Sequence, residues 1–183
     1  VAAAYLGKTA LVSGLLQKDE ASVSTPNLYL GSALRCAAMQ GHYDTTRALL
    51  DVGADVNYCR LFKDFALGAA AFRGHRDVVE LLLQPEYNCV LSGAVYEKAI
   101  CRAARGGNLE TMLFMIKRGK VEDSEDLIQT ILGEAAGNGH ESVVQWALEN
   151  GALVHGNIDK LFQKSALNYA ALNGHEPIVR LLL

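Results

Sequence analysis

Apolar residues recur along the chain at the spacing of an amphipathic helix, and these apolar stripes come in pairs. In residues 92–119, the first stripe runs from Val95 to Ala104 and stops ahead of Gly107, a residue type that can adopt the left-handed conformation that ends a helix. A second stripe follows at once and stops ahead of Gly119. The pattern therefore predicts a unit of helix, tight turn and helix.

The same unit repeats along the chain. Residues 74–83, GHRDVVELLL, return nearly unchanged as GHEPIVRLLL at residues 174–183. Turn glycines recur at steps of 33, 33, 32 and 35 residues, and an Ala-Ala pair stands three residues ahead of each. A fixed period of this size indicates a repeat array, in which each unit buries its surface against its neighbours. The turn glycines are Gly41, Gly74, Gly107, Gly139 and Gly174, with a degraded copy at Gly7.

These repeats resemble the ankyrin repeat, whose motif in outline is TPLHxAAxxGHxxVVxLLLxxGADVN. The second half of that motif is clear in residues 41–57, GHYDTTRALLDVGADVN, and in residues 139–152, GHESVVQWALENGA. The first half departs from it, because SALR, FALG, KAIC, TILG and SALN stand where TPLH is expected. The histidine of TPLH, which in the family links neighbouring repeats by hydrogen bonds, is therefore missing. The resemblance implies stacked helix-turn-helix units that bind other proteins.

Apolar residues also stand ahead of each Ala-Ala pair, where the family usually has a polar β-hairpin finger. They continue the apolar helix face backwards at i, i+4 and i+8. We therefore expect the first helix of each pair to be longer by one to two turns and the hairpin to be reduced. The predicted fold is an all-α solenoid of stacked ankyrin-type repeats. The apolar positions are Tyr29, Phe62, Val95, Leu127 and Phe162.

We expect residues 1–183 to form a single array of six units, the first and last of them partial. Gly68 and Gly133 fall inside predicted helices, where each costs about 1 kcal/mol relative to alanine, and the sequence alone offers no account of them. The approximate units are 1–28, 29–61, 62–94, 95–126, 127–161 and 162–183.

Composition and charge narrow the possible functions. The net charge of −3 argues against a general binder of nucleic acid or of membrane surfaces, which would need a basic excess. The four cysteines show no metal-binding spacing, so we expect reduced thiols in an intracellular protein, cytoplasmic or nuclear. The chain starts without Met and stops inside a repeat, so we expect a piece of a longer protein.

The repeated Gly-His pairs suggest metal binding or acid–base chemistry at first sight. Neighbouring helices pack about 8–10 Å apart, so equivalent histidines cannot share a metal with bonds of about 2 Å. The resemblance implies that each histidine lies in the turn between two helices and satisfies local polar groups. Because no catalytic set can be assembled from spacing, we predict neither enzymatic activity, nor a metal, nor a cofactor.

A stacked array offers a concave face to a partner. Arginine beside aromatic side chains is typical of binding hot spots, so we expect a protein partner, either an acidic segment or another domain of the same chain. Two alternatives stay open: a sensor of a small anionic ligand such as a nucleotide, and a structural spacer or self-association element. The resemblance places on the concave face Arg35, Met39, Phe72, Arg73, Arg102, Arg105, Tyr169 and Leu172.

Overall fold

The computed structural model describes residues 1–18, 26–58, 65–119, 121, 125–154 and 165–183. These residues form twelve α-helices and a short 3-10 turn at Pro85–Tyr87, and they contain no strand. The all-helical fold is thereby confirmed. The helices are α1 (Ala2–Tyr5), α2 (Thr9–Lys18), α3 (Pro26–Met39), α4 (Tyr43–Asp51), α5 (Ala66–Arg73), α6 (Arg76–Leu82), α7 (Gly93–Arg105), α8 (Leu109–Arg118), α9 (Glu125–Asn138), α10 (Glu141–Glu149), α11 (Ala166–Leu172) and α12 (Glu176–Leu182).

The chain divides into two compact units, unit 1 at residues 1–91 and unit 2 at residues 92–183. Each unit contains three helix pairs, and we call the odd-numbered member of a pair its first helix and the even-numbered member its second helix. In unit 1, α3 packs between α1 and α5, and α4 packs between α2 and α6. In unit 2, α9 packs between α7 and α11, and α10 contacts α12. First helices thus form one layer of each unit.

Small residues let the first helices approach one another closely. Both alanines of the pair are fully buried in α3, α5, α7 and α9, for example Ala37 and Ala38. The second helices supply larger apolar side chains to the interior, such as Val78 and Val79 of α6 and Val143 of α10. Burying such side chains is worth about 1.5–3 kcal/mol each, so the second helices stabilise each unit through their apolar faces.

The predicted lengthening of the first helix is confirmed in three pairs. α3, α7 and α9 span 14, 13 and 14 residues, and α3 begins at Pro26, where a fixed φ suits the first helical position. Leu127 is buried in α9 as expected, but Val95 of α7 is exposed. Tyr96 is buried in its place, because its hydroxyl donates to the Met115 carbonyl at 2.8 Å.

The lengthening is wrong for α5 and α11, which begin at Ala66 and Ala166. Phe65 has extended backbone and its ring lies against Gly68, so this side chain is buried without a further helical turn. Ser165 caps α11, because its hydroxyl accepts a hydrogen bond from the Asn168 N–H. Phe62, Phe162 and the side chain of Tyr29 lie outside the described residues.

Side-chain amides join loops where a hairpin finger would have strands. Asn57 donates to the Asn88 carbonyl and accepts from the Val90 N–H, both at 2.9 Å. In unit 2, Gln129 makes the same two kinds of bond to the carbonyl and N–H of Leu153, again at 2.9 Å. An amide side chain reproduces the donor and acceptor of a backbone peptide, which explains how these loops are held without a strand.

The repeated histidines join neighbouring repeats, so the prediction that they satisfy local polar groups is wrong. Each lies at the start of a second helix, and its Nε2 faces a carbonyl two residues ahead of the turn glycine in the preceding repeat. Because a carbonyl only accepts, Nε2 carries the proton and donates. The pairs are His42 with Tyr5 at 3.1 Å, His75 with Met39 at 3.2 Å, His140 with Arg105 at 2.9 Å and His175 with Gly137 at 3.1 Å.

The turn glycine is needed for this contact as well as for the turn. Gly41 has φ +74°, and a Cβ placed there would lie 2.7 Å from the His75 ring. Gly7, Gly107 and Gly139 meet the histidine of the next repeat in the same way. A glycine and a histidine about one repeat apart therefore form one contact, which we call the Gly-His contact.

Gly41→Ala, compared with a control glycine, separates displacement of the His75 ring from the strain of an alanine in the left-handed conformation. It should destabilise the protein by about 2–4 kcal/mol, since it combines a left-handed alanine with displacement of the His75 ring. Gly53→Ala is the matched control, because Gly53 has φ +88° and open space around its Cβ; we expect about 1–2 kcal/mol there. Urea unfolding followed by circular dichroism measures both, and equal losses would contradict the role given to the ring.

Gly68→Ala and Gly133→Ala should change the stability of the protein in opposite directions. A Cβ at Gly68 would lie 2.5 Å from the buried Phe65 ring, whereas nothing lies within 4 Å of one at Gly133. We expect a loss of about 1–3 kcal/mol at Gly68 from overpacking and a gain of up to about 1 kcal/mol at Gly133 from helix propensity. Thermal unfolding of both variants checks this, and stabilisation by Gly68→Ala would show that the ring moves aside freely.

Candidate functional site

The first helices of unit 1 present a line of apolar side chains at equivalent positions. Each stands two residues ahead of the turn glycine, and we call Tyr5, Met39 and Phe72 the apolar row. Tyr5 is 47% exposed, and Met39 and Phe72 are partly exposed. The histidines of the next repeats hold the carbonyls of Tyr5 and Met39. The histidines of the Gly-His contacts therefore fix the backbone at Tyr5 and Met39, two of the three positions of the row.

Two arginines flank the apolar row. Arg35 lies one turn before Met39 on α3 and donates from Nη1 to the Met39 sulfur at 3.8 Å. Arg73 follows Phe72 at the end of α5 and is exposed. Because α3 and α5 pack side by side, both guanidinium groups belong to the same helix layer as the row.

Charge in unit 1 is divided between the two layers. α3 and α5 contain Arg35 and Arg73 and no acidic residue, and α1 contains no charged residue. The second helices α4 and α6 each contain two acidic residues and one arginine. Only the first-helix layer is thus purely cationic. The described acidic residues of unit 1 are Asp44, Asp51, Asp55, Asp77, Glu80 and Glu86.

The first-helix layer of unit 2 is different in charge. Arg105 holds the position of the row, but its Nε lies 3.8 Å from a carboxylate oxygen of Glu134 on α9, and both side chains are half exposed. Gly137 holds the next position, where its carbonyl accepts from Asn173 at 2.6 Å as well as from His175. Unit 2 therefore has a partly neutralised face with a gap in its row.

The predicted site residues fall into two groups, one in each unit. Arg35, Met39, Phe72 and Arg73 come together on α3 and α5, and the sequence missed Tyr5, although it stands two residues ahead of Gly7. The second group is spread over two helices: Arg102 is partly exposed and Arg105 exposed on α7, and Tyr169 and Leu172 are exposed on α11.

The chain matches a family model described as ankyrin repeats, three copies, at residues 1–93 and again at residues 96–183. The two matches coincide closely with units 1 and 2. A curated relative, a Caenorhabditis elegans homolog of transient receptor potential cation channel subfamily A member 1, is 29% identical over 182 residues. That alignment covers 99% of this chain and 12% of the relative, so the chain spans about an eighth of the relative's length.

The described thiols and acids do not form a reactive cluster. Burial raises the pKa of Cys101 to about 12 and that of Cys89 to about 11, and Glu134 and Glu97 add to the shift at Cys101. Among the described residues, no three His, Cys, Asp or Glu side chains are placed to hold a metal ion, and no helix has the length and apolarity of a membrane span. Cys59 and His155 lie outside these residues.

Thiol alkylation tests the burial of Cys89 and Cys101. The thiolate is the reacting form, so raising the pKa to about 11–12 should slow labelling by iodoacetamide at pH 8 at least about hundredfold relative to the urea-unfolded chain. Since the folded state keeps these protons, stability should fall as pH rises from about 9 toward 12. Mass spectrometry of labelled peptides gives the rates, and equal native and unfolded rates would contradict the burial.

Proposed function

Because the chain belongs to the ankyrin-repeat family, we propose that it is a non-enzymatic protein-interaction module that binds its partner on the first-helix layer. Ankyrin repeats generally mediate binding between proteins. The observation that carries the proposal is the apolar row of Tyr5, Met39 and Phe72, which is partly exposed and flanked by Arg35 and Arg73. Residues of this type form the anchors of protein interfaces.

Unit 2 extends the proposal to a second contact area. Arg102, Arg105, Tyr169 and Leu172 lie on first helices there, and Leu172 is 66% exposed. The apolar pair on α11 suits a hydrophobic anchor, whereas Arg105 is engaged with Glu134. We propose that each unit offers its own first-helix surface.

The mechanism is recognition on a preformed surface. The Gly-His contact and the buried alanine pairs hold the first helices before any partner arrives. A surface ordered in advance loses little conformational entropy on binding, so more of the contact energy appears as affinity. The length of the relative supports the further proposal that this array works within a larger intracellular protein.

Peptide selection followed by truncation tests the proposal. Peptides enriched from a phage-displayed library on the 183-residue chain should bind at least about tenfold more weakly to Met39→Ala/Phe72→Ala or to Tyr169→Ala/Leu172→Ala. Leu11→Ala/Leu15→Ala is the matched control, since α2 exposes both leucines on the second-helix layer; binding should change less than about twofold there. Fluorescence anisotropy gives the affinities, and circular dichroism confirms folding.

Two results would count against the proposal. One is a library that yields no peptide above the uncoated surface. The other is binding that the α2 variant weakens as much as the first-helix variants do. Calorimetry with a panel of nucleotides addresses the alternative of a sensor for a small anion, and a saturable heat for one nucleotide together with a failed selection would favour that alternative.

A further inference from the structure

We propose that the first-helix layer of unit 1 selects an acidic protein segment that carries apolar side chains, and that unit 2 does not share this charge preference. The inference rests on the proposed function and adds the chemistry of the partner. It depends on one juxtaposition, the apolar row of Tyr5, Met39 and Phe72 beside Arg35 and Arg73 on a layer without acidic residues.

Charge complementarity indicates that the partner is negatively charged. On α3 and α5 an approaching carboxylate meets two guanidinium groups and no helix carboxylate, whereas α4 and α6 together present four acidic residues and two arginines. A low-salt encounter is therefore steered toward the first-helix layer. Guanidinium groups also bind carboxylates through paired hydrogen bonds, which adds geometric selection.

The apolar row indicates a second requirement of the partner, which is apolar side chains that contact the row. Helices that pack side by side are about 8–10 Å apart, so the three side chains of the row are spaced at that interval. An extended polyproline II segment rises about 3.1 Å per residue and returns to the same side every third residue. Seven to nine residues, by this rough measure, span the row with an apolar side chain over each helix and acidic ones between them.

A protein segment fits this surface better than a nucleic acid or an anionic membrane. Those partners are bound mainly through many cations along a phosphate surface, and here two arginines accompany three apolar side chains. The acidic second helices of the same unit would also repel a polyanion that extended beyond the row.

Unit 2 supplies the internal contrast. Its Arg105 lies 3.8 Å from Glu134, and its first helices together carry four acidic residues against two arginines and one lysine. Gly137 leaves no side chain in the middle of the equivalent row, and the following repeat contacts its carbonyl instead. Neither the cationic excess nor the continuous apolar line of unit 1 is present among the described residues of the unit 2 first helices.

The test combines the composition of selected peptides with charge reversal. Among the peptides selected on the whole chain, those whose binding Met39→Ala/Phe72→Ala weakens should be rich in Asp and Glu and contain aromatic or aliphatic residues. Their affinity for Arg35→Glu/Arg73→Glu should fall by about tenfold or more, and raising salt should weaken the wild-type complex but not the variant complex. Versions of the peptides with Lys in place of each Glu should lose binding to the wild type.

Two matched variants separate the layers and the units. Arg47→Glu/Arg76→Glu makes the same change of charge on α4 and α6 of the same unit and should alter affinity by less than about twofold. Lys117→Glu/Arg118→Glu makes the same change of charge on α8, a second helix of unit 2, and should also alter affinity by less than about twofold. Thermal unfolding of every variant confirms that it is folded before binding is compared.

The outcomes distinguish this inference from the proposed function. The inference is overturned, and the interaction module left in place, if the peptides that Met39→Ala/Phe72→Ala weakens lack an excess of acid or bind Arg35→Glu/Arg73→Glu as well as the wild type. Equal losses in all three charge-reversed variants overturn it too, because the effect would then reflect net charge. A selection that enriches nothing overturns both.

Discussion

The contact between a turn glycine and the histidine of the next repeat is the constraint on which the rest of each unit depends. The glycine must take a left-handed conformation to end the first helix, and it must lack a Cβ for the histidine ring to lie against it, as Gly41 does for His75. The same ring starts the second helix and donates to a carbonyl of the preceding repeat. One pair of residues thus fixes a turn, a helix start and the alignment of two repeats.

That arrangement explains how exposed side chains of the first-helix layer can vary without loss of the fold. The group that accepts the histidine bond is a backbone carbonyl, so the side chain on the same residue has no part in the contact. Tyr5, Met39, Arg105 and Gly137 all supply this carbonyl. At such a position the backbone carbonyl makes the contact and the side chain is exposed. Substitutions there leave the hydrogen bond between repeats intact, so the position is well suited to partner selection.

The repeat, the helix pairs and the helices that carry the predicted site residues could be predicted from the sequence, because period, apolar spacing and turn glycines are local signals. The hydrogen bonds of His42 and its equivalents could not be predicted. Each accepting carbonyl lies 35–38 residues away along the chain, and its position depends on how the repeats stack. The start of α5 was missed for a similar reason. The apolar pattern extended the helix back to Phe62, but Phe65 has an extended backbone and its ring is buried over Gly68, so the helix begins at Ala66.

The two units show that the same Gly-His contact can support different surfaces. In unit 1 the row positions are filled by large side chains, and the acidic residues that lie on helices belong to α4 and α6 of the second-helix layer. In unit 2 the glycine at 137 exposes its carbonyl to a second donor, Asn173, at 2.6 Å, and Glu134 lies beside Arg105. Polar groups that satisfy one another within a unit have less to offer a partner, because binding must first break those bonds. The first helices of unit 1 carry two arginines and no acidic residue, and this difference between the units follows from side chains that the Gly-His contact leaves unconstrained.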